Sequence, residues 1–167
     1  MRSLLRRFAL AALIAPAVVG VSMFASPAEA APASVQAQTP QAQTVQADVV
    51  RLTNARRTAA GCSAVTVNAQ LTAAAVGHST WMARTGTFSH TGSAGSTFIV
   101  RAKAAGFARP SSENIAWGYR SATELVNAWM KSPGHRANIL NCKSRTVGVG
   151  VAYTANGTPY YTQDFGY

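Results

Sequence analysis

Acidic side chains are scarce in this sequence: five Asp and Glu stand against 15 Lys and Arg, a net charge of +10 over 167 residues. A balance that basic draws a chain toward anionic surfaces such as wall polymers or lipid headgroups. Nucleic acid is not expected as a partner, because the basic residues are scattered and fall in no recognisable nucleic-acid motif. Cysteine is limited to two residues, with no CxxC pair and no Cys beside a His, which argues against a zinc ribbon or a redox motif. HExxH, a nucleophile elbow and a phosphate-binding glycine loop are all missing, so no short motif announces an enzyme. Internal repeats are absent too. Only one apolar run is of spanning length, and it lies at the N-terminus.

That run shapes the first 30 residues. Arg2, Arg6 and Arg7 precede an uncharged apolar stretch over 8–25, and Ala28-Glu29-Ala30 is a small-x-small cleavage pattern. A removed signal peptide over 1–30 is expected, with Ala31 as the mature start. Pro16 and the cleavage pattern favour this over a retained transmembrane anchor. No Cys follows the run, which argues against a lipid-anchored form, and Sec and twin-arginine export both stay open. Removing 1–30 leaves 12 basic and four acidic side chains, a net charge of +8.

Residues 31–47, APASVQAQTPQAQTVQA, carry almost no large apolar side chain. Such a segment buries too little to offset its ordering entropy, so a disordered spacer is expected. The folded domain is placed at 48–167. Asp48 is expected to cap a first helix to about residue 60, and Asn68 a second to about 85. His78 neighbours the apolar stripe of that second helix and reads as a structural histidine. A third helix is expected over 97–105, closed by Gly106. Ser121 and Glu124 form a capping box that opens a fourth helix to residue 130. The stretch WMKSPGHRANIL at 129–140 breaks at Ser132-Pro133-Gly134, since Pro lacks a donor and restricts the residue before it. His135 is then expected on a turn, followed by a short helical segment.

Strands are expected at 112–117, 146–153 and 159–165. In TVGVGVAY the valines alternate with Gly148, Gly150 and Ala152, leaving one face small enough for close approach of another element. Asn156-Gly157 reads as a hairpin turn. The result is an α+β layered domain, a small central antiparallel sheet flanked by about four helices.

Cys62 and Cys142 are the lone pair of an exported chain, and a single disulfide is the simplest reading, with a metal-binding or reactive pair as the alternative. His90, Glu113 and His135 fall on three separate segments where the chain leaves or joins regular elements. Two imidazoles and a carboxylate suit zinc with water completing the shell, and equally suit general acid–base work.

The series FSH (88–90), SENIAWG (112–118), WMKSPGHRANIL (129–140), GVGVAY (148–153) and YTQDFG (161–166) resembles the bacterial branch of the CAP superfamily, which includes cysteine-rich secretory proteins, venom antigens and pathogenesis-related proteins. The resemblance covers essentially the whole domain and implies an α-β-α sandwich with a central cleft holding two His and two acids. By motif His90, Glu113 and His135 match three of the four; the second acid is replaced by Ser132, and Ser112 replaces the usual Gly before Glu113. The incomplete set implies at most a weak divalent-metal site on His90 and His135. A secreted or wall-associated monomer is expected, without a stable membrane anchor. Its cleft would be a non-enzymatic binding site for a lipid, sterol or envelope glycan, with Ser132 among the lining residues. The alternative is a metal-assisted or acid–base hydrolase of peptide or cell-wall material.

Overall fold

A computed structural model describes residues 38–167; the expected signal segment and the first part of the expected spacer lie outside the described residues. Five α-helices and four strands follow in the order α1 (Pro40–Ala59), β1 (Thr66–Val67), α2 (Ala69–Thr85), α3 (Phe98–Ala104), β2 (Pro110–Trp117), α4 (Ala122–Lys131), α5 (Pro133–Ile139), β3 (Thr146–Tyr153) and β4 (Pro159–Gly166). Among the described residues no helix is long and apolar enough to cross a membrane.

The first helix starts eight residues before the expected Asp48, so 40–47 are helical rather than spacer. Thr39 is the cap, its Oγ1 accepting from the Ala42 amide at 3.2 Å, and Pro40 occupies the first turn, where its missing donor costs nothing. Ala and Gln are good helix formers, and Ala42 lies on the same buried side as Val49, Thr53 and Arg57. Low-complexity composition concealed a helix that the core supports.

The sheet runs β1-β3-β4-β2. The β3–β4 and β4–β2 pairs are antiparallel, as expected. The two-residue β1 was not anticipated; it pairs parallel to β3 through Thr66 and Thr146, so the sheet is mixed. Two residues carry too little pattern to be read as a strand before the partner is known. The link between β3 and β4 is the five-residue loop 154–158 rather than a two-residue turn, with Gly157 at φ +85°.

Layering follows from the alternation in β3. Val147, Val149 and Val151 pack in one core with Val49, Leu125, Trp129 and Phe165, which places α1 and α4 on that face. On the other face a Cβ at Gly148 or Gly150 would collide with the backbone of α2 at Leu71, Thr72, Ala75 and Val76, so glycine is what lets α2 lie directly on the sheet. The three layers make the expected α-β-α sandwich. Cys62 and Cys142 form a disulfide with Cα atoms 4.9 Å apart.

Candidate functional site

Strand β2 is an edge of the sheet, and its alternation aims neighbouring side chains at opposite layers. Asn114 faces the α1/α4/α5 side, where it meets Gln163 Oε1 at 3.0 Å, receives Asn138 Nδ2 at 2.8 Å and donates to the His135 carbonyl at 3.3 Å. Gln163 in turn donates to Thr53 of α1 at 2.8 Å. This buried amide chain fixes α5 against β2. Asn138 Nδ2 and Trp129 Nε1 also donate to the carbonyls of Glu113 and Ile115, at 3.2 and 3.3 Å. The edge strand is thereby covered rather than left open for pairing.

Glu113 points the other way and is buried. Its Oε1 accepts from His90 Nδ1 at 2.8 Å and its Oε2 from Arg101 Nη2 at 2.6 Å. Burial alone would raise the carboxyl, but the His90 bond and the Arg101 charge outweigh it and hold Glu113 below its ordinary value. Arg101, on α3, also donates to the carbonyls of His90 and Ser96 at 3.1 and 2.7 Å, so one guanidinium holds both the acid and the loop that carries its histidine. Sequence reading missed Arg101. The scarcity of acids says that a buried Glu113 needs a cation, but not which of many basic residues supplies it.

His78 is buried in α2 as expected. Its Nε2 meets the Ser89 carbonyl at 2.9 Å, anchoring the same loop, and its Nδ1 has no partner among the described residues. Burial lowers its basicity.

His135 belongs to the second pair. The break at Ser132-Pro133 is real, but α5 begins at Pro133 itself, so His135 lies in the first turn of a helix rather than on a free turn. Pro at the first helical position explains this, because it ends α4 and starts α5 at once. His135 Nδ1 lies 2.9 Å from Ser132 Oγ. Burial, and the nearby His90, push its imidazole below the usual range, so the neutral ring prevails at neutral pH.

The four expected residues thus form two bonded pairs, His90–Glu113 and Ser132–His135. Strand β2 contributes residues to two cavities. One, of about 510 Å³, is lined by His90, Glu113, Ser112, Phe98 and Ile99. The other, of about 260 Å³, is lined by Ser132, His135, Trp117, Phe88, Tyr119 and Trp129. Phe88, Ile99 and Trp117 are 43–54% exposed, unusual for such large apolar groups beside a buried acid.

The fit to a metal ion is poor. Among the described residues no group of three His, Cys, Asp or Glu is arranged to hold one. Both Glu113 oxygens are already engaged, and each imidazole offers only the nitrogen opposite its bonded Nδ1. The remaining two imidazoles fall short of the three or four ligands of ordinary zinc sites.

Comparison with known proteins bears on the family and the fold. Over 57 residues the chain is 46% identical to YkwD, an uncharacterized protein of Bacillus subtilis (strain 168), a stretch covering 34% of this chain and 21% of that protein. A second B. subtilis protein, the uncharacterized membrane protein YlbC, is 42% identical over 53 residues, 32% of this chain and 14% of its own length. The chain therefore corresponds to about a fifth or less of these relatives. An extracellular SCP-domain protein from Bacillus anthracis superposes with a TM-score of 0.68 at 26% identity, covering 78% of this chain and 44% of that one. A Staphylococcus aureus cysteine-rich secretory protein shares the fold with a TM-score of 0.63 at 20% identity, covering 77% and 40% of the two chains. Residues 50–165 match the profile of the CAP, or cysteine-rich secretory protein, family; with that match spanning most of the chain, and with fold and motif order in agreement, the chain belongs to this family.

Proposed function

We propose that this chain is an extracellular binding module whose β2 cleft holds an amphiphilic envelope molecule, a lipid or sterol before a glycan. One observation carries the reading. Two cavities with apolar walls, bearing half-exposed Phe88, Ile99 and Trp117, flank a polar centre made of Glu113, the two imidazoles and Ser132. Exposed apolar patches rimmed by polar groups are the mark of ligand grooves. The net charge of +8 without residues 1–30 favours residence near an anionic surface. A location outside the cell is supported by the disulfide, by the signal-like N-terminus and by the extracellular relative.

The test is a fluorescence titration of the purified protein with a dansyl-labelled fatty acid and with a fluorescent sterol, with soluble peptidoglycan fragments as competitor. Saturable binding that weakens about tenfold, or about 1.4 kcal/mol, on Trp117→Ala supports the reading. Absence of saturable binding to both probes overturns it, and peptidoglycan binding alone transfers the cleft to a glycan.

A further inference from the structure

Five α-helix starts can be compared among the described residues, and four use their cap side chain in the ordinary way. Thr39, Asn68, Thr97 and Ser121 each accept from a backbone amide three residues ahead. Ser132 does not. It occupies the cap position of α5 with extended backbone, φ −93° and ψ 120°, yet its side chain makes no capping bond. Its hydroxyl is directed instead at the imidazole of His135, at 2.9 Å. A cap serine diverted to an imidazole gives up the stabilising capping bond, so helix capping does not explain the arrangement.

We propose that Ser132 and His135 form a nucleophilic dyad that accepts acyl groups from carboxylic esters bound in the cavity walled by Trp117, Phe88 and Trp129. The location of the ester rests on the cleft reading above; the covalent chemistry goes beyond it. Three structural features support the dyad. Ser132 and His135 both line that 260 Å³ cavity, so the bond between them faces space that a ligand can enter. The ring is held from two sides, with Trp129 at 6.4 Å between centroids and the His135 backbone carbonyl tied to Asn114 of β2. With Nδ1 accepting the serine proton, Nε2 carries the ring hydrogen, which is the arrangement a neutral base needs.

The steps balance without any further reagent but water. Ser132 Oγ attacks the ester carbonyl carbon while its proton passes to His135 Nδ1. The tetrahedral species collapses, the carbon–oxygen bond to the alcohol breaks, and the departing alkoxide takes the proton from Nδ1. Ser132 is left as an acyl ester. A water molecule then attacks that carbonyl, giving its proton to Nδ1, and the carboxylic acid leaves as Ser132 recovers its proton.

The experiment uses the full-length secreted protein with two probes, a fluorophosphonate and p-nitrophenyl butyrate. The expected result is a phosphonyl adduct on Ser132 by peptide mass spectrometry, and p-nitrophenol release that falls about a hundredfold in Ser132→Ala and in His135→Gln. Melting curves confirm that both variants are folded, and if one is not, the other alone serves the comparison. An adduct on another residue, or equal rates in wild type and folded variants, overturns the dyad. Dansyl-fatty-acid binding is read on the same wild-type sample. Saturable binding without an adduct removes the dyad and leaves the cleft reading, whereas an adduct without such binding does the reverse.

Discussion

Glu113 and Asp164 are register partners on β2 and β4, and their carboxyl groups share the face of the sheet that lies under α2. They are treated oppositely by the fold. Glu113 has His90 and Arg101 and stays below its ordinary value. Asp164 is fully buried; no N–H or hydroxyl donor reaches its oxygens among the described residues, and its side-chain hydrogen bond is to the Glu113 carboxyl. Burial first, and then the Glu113 charge, push Asp164 well above the usual carboxylate range, although Arg101 pulls the other way. Two adjacent carboxyls with one cation between them resolve into one charged and one neutral group.

This asymmetry predicts a pH-dependent stability. The unfolded chain releases the Asp164 proton near pH 3.9 or so, whereas the folded chain keeps it to a higher pH. The Asp164 contribution to stability is therefore full below about pH 3.9 and declines as pH rises toward the raised folded value. Asp164→Asn is expected to remove that decline and to raise Tm at about pH 7, with the pH-dependent part of the gain vanishing at about pH 4. Glu113 has the opposite sign: its contribution is present above about pH 4.3 and is lost as pH falls through its depressed folded value. The variant should therefore still lose stability in acid. Thermal melts of both proteins across this range check the pair, and a variant with no gain at neutral pH would mean that Asp164 is ionised there.

Arg57 is predicted to be among the costliest residues to remove. It is fully buried and has no acidic partner; its guanidinium donates to the carbonyls of Ser63, Ile139, Asn141 and Ser144 at 2.7–3.0 Å. Burial, with the nearby Arg145 charge second, lowers its proton affinity. Truncation leaves buried acceptors unsatisfied at about 1–3 kcal/mol each. Arg57→Ala is expected to cost at least about 3 kcal/mol by urea unfolding, and Arg57→Lys most of that, because a single ammonium cannot serve all the carbonyls.

The Cys62–Cys142 bond closes a separation of 80 residues. Chain entropy assigns such a loop about 4–5 kcal/mol, near the whole stability of a small domain. Denatured, unreduced protein should show no reactive thiol, and reduction should lower Tm by at least about 10 °C. Two reactive thiols in the unreduced sample would contradict the bond. The disulfide and Arg57 fasten the same segments, the end of α1 and the chain after α5. Arg57→Ala should therefore cost more in reduced than in oxidised protein.

Ser132→Glu tests what the fourth position does for metal. Among the described residues the two imidazoles of the wild type lack a third protein ligand, and an added carboxylate beside His135 supplies one. Calorimetric titration with zinc is expected to show binding at least about tenfold tighter in Ser132→Glu than in wild type. Equal heats from the two proteins would show that the imidazoles are not placed to share an ion.

Much of this molecule was legible along the chain. The helices from Asn68, Thr97 and Ser121 and the three long strands were readable because caps, proline and two-residue alternation are local signals. The cleft residues His90, Glu113 and His135 could be picked out because motif order survives in one dimension. The helix over 40–47 was hidden by a composition equally suited to a spacer, and the burial of Ala42 in the core distinguishes the two. Partnership was decided by tertiary structure alone. Arg101 for Glu113, the distant carbonyls of Ile139, Asn141 and Ser144 for Arg57, and Asp164 beside Glu113 all depend on strand register and on elements that meet only in the folded chain. A one-residue slip between β2 and β4 would move one strand's whole side-chain set to the other face. Periodicity says which residues are buried; packing in three dimensions chooses what they meet, and with it the charge each of them carries.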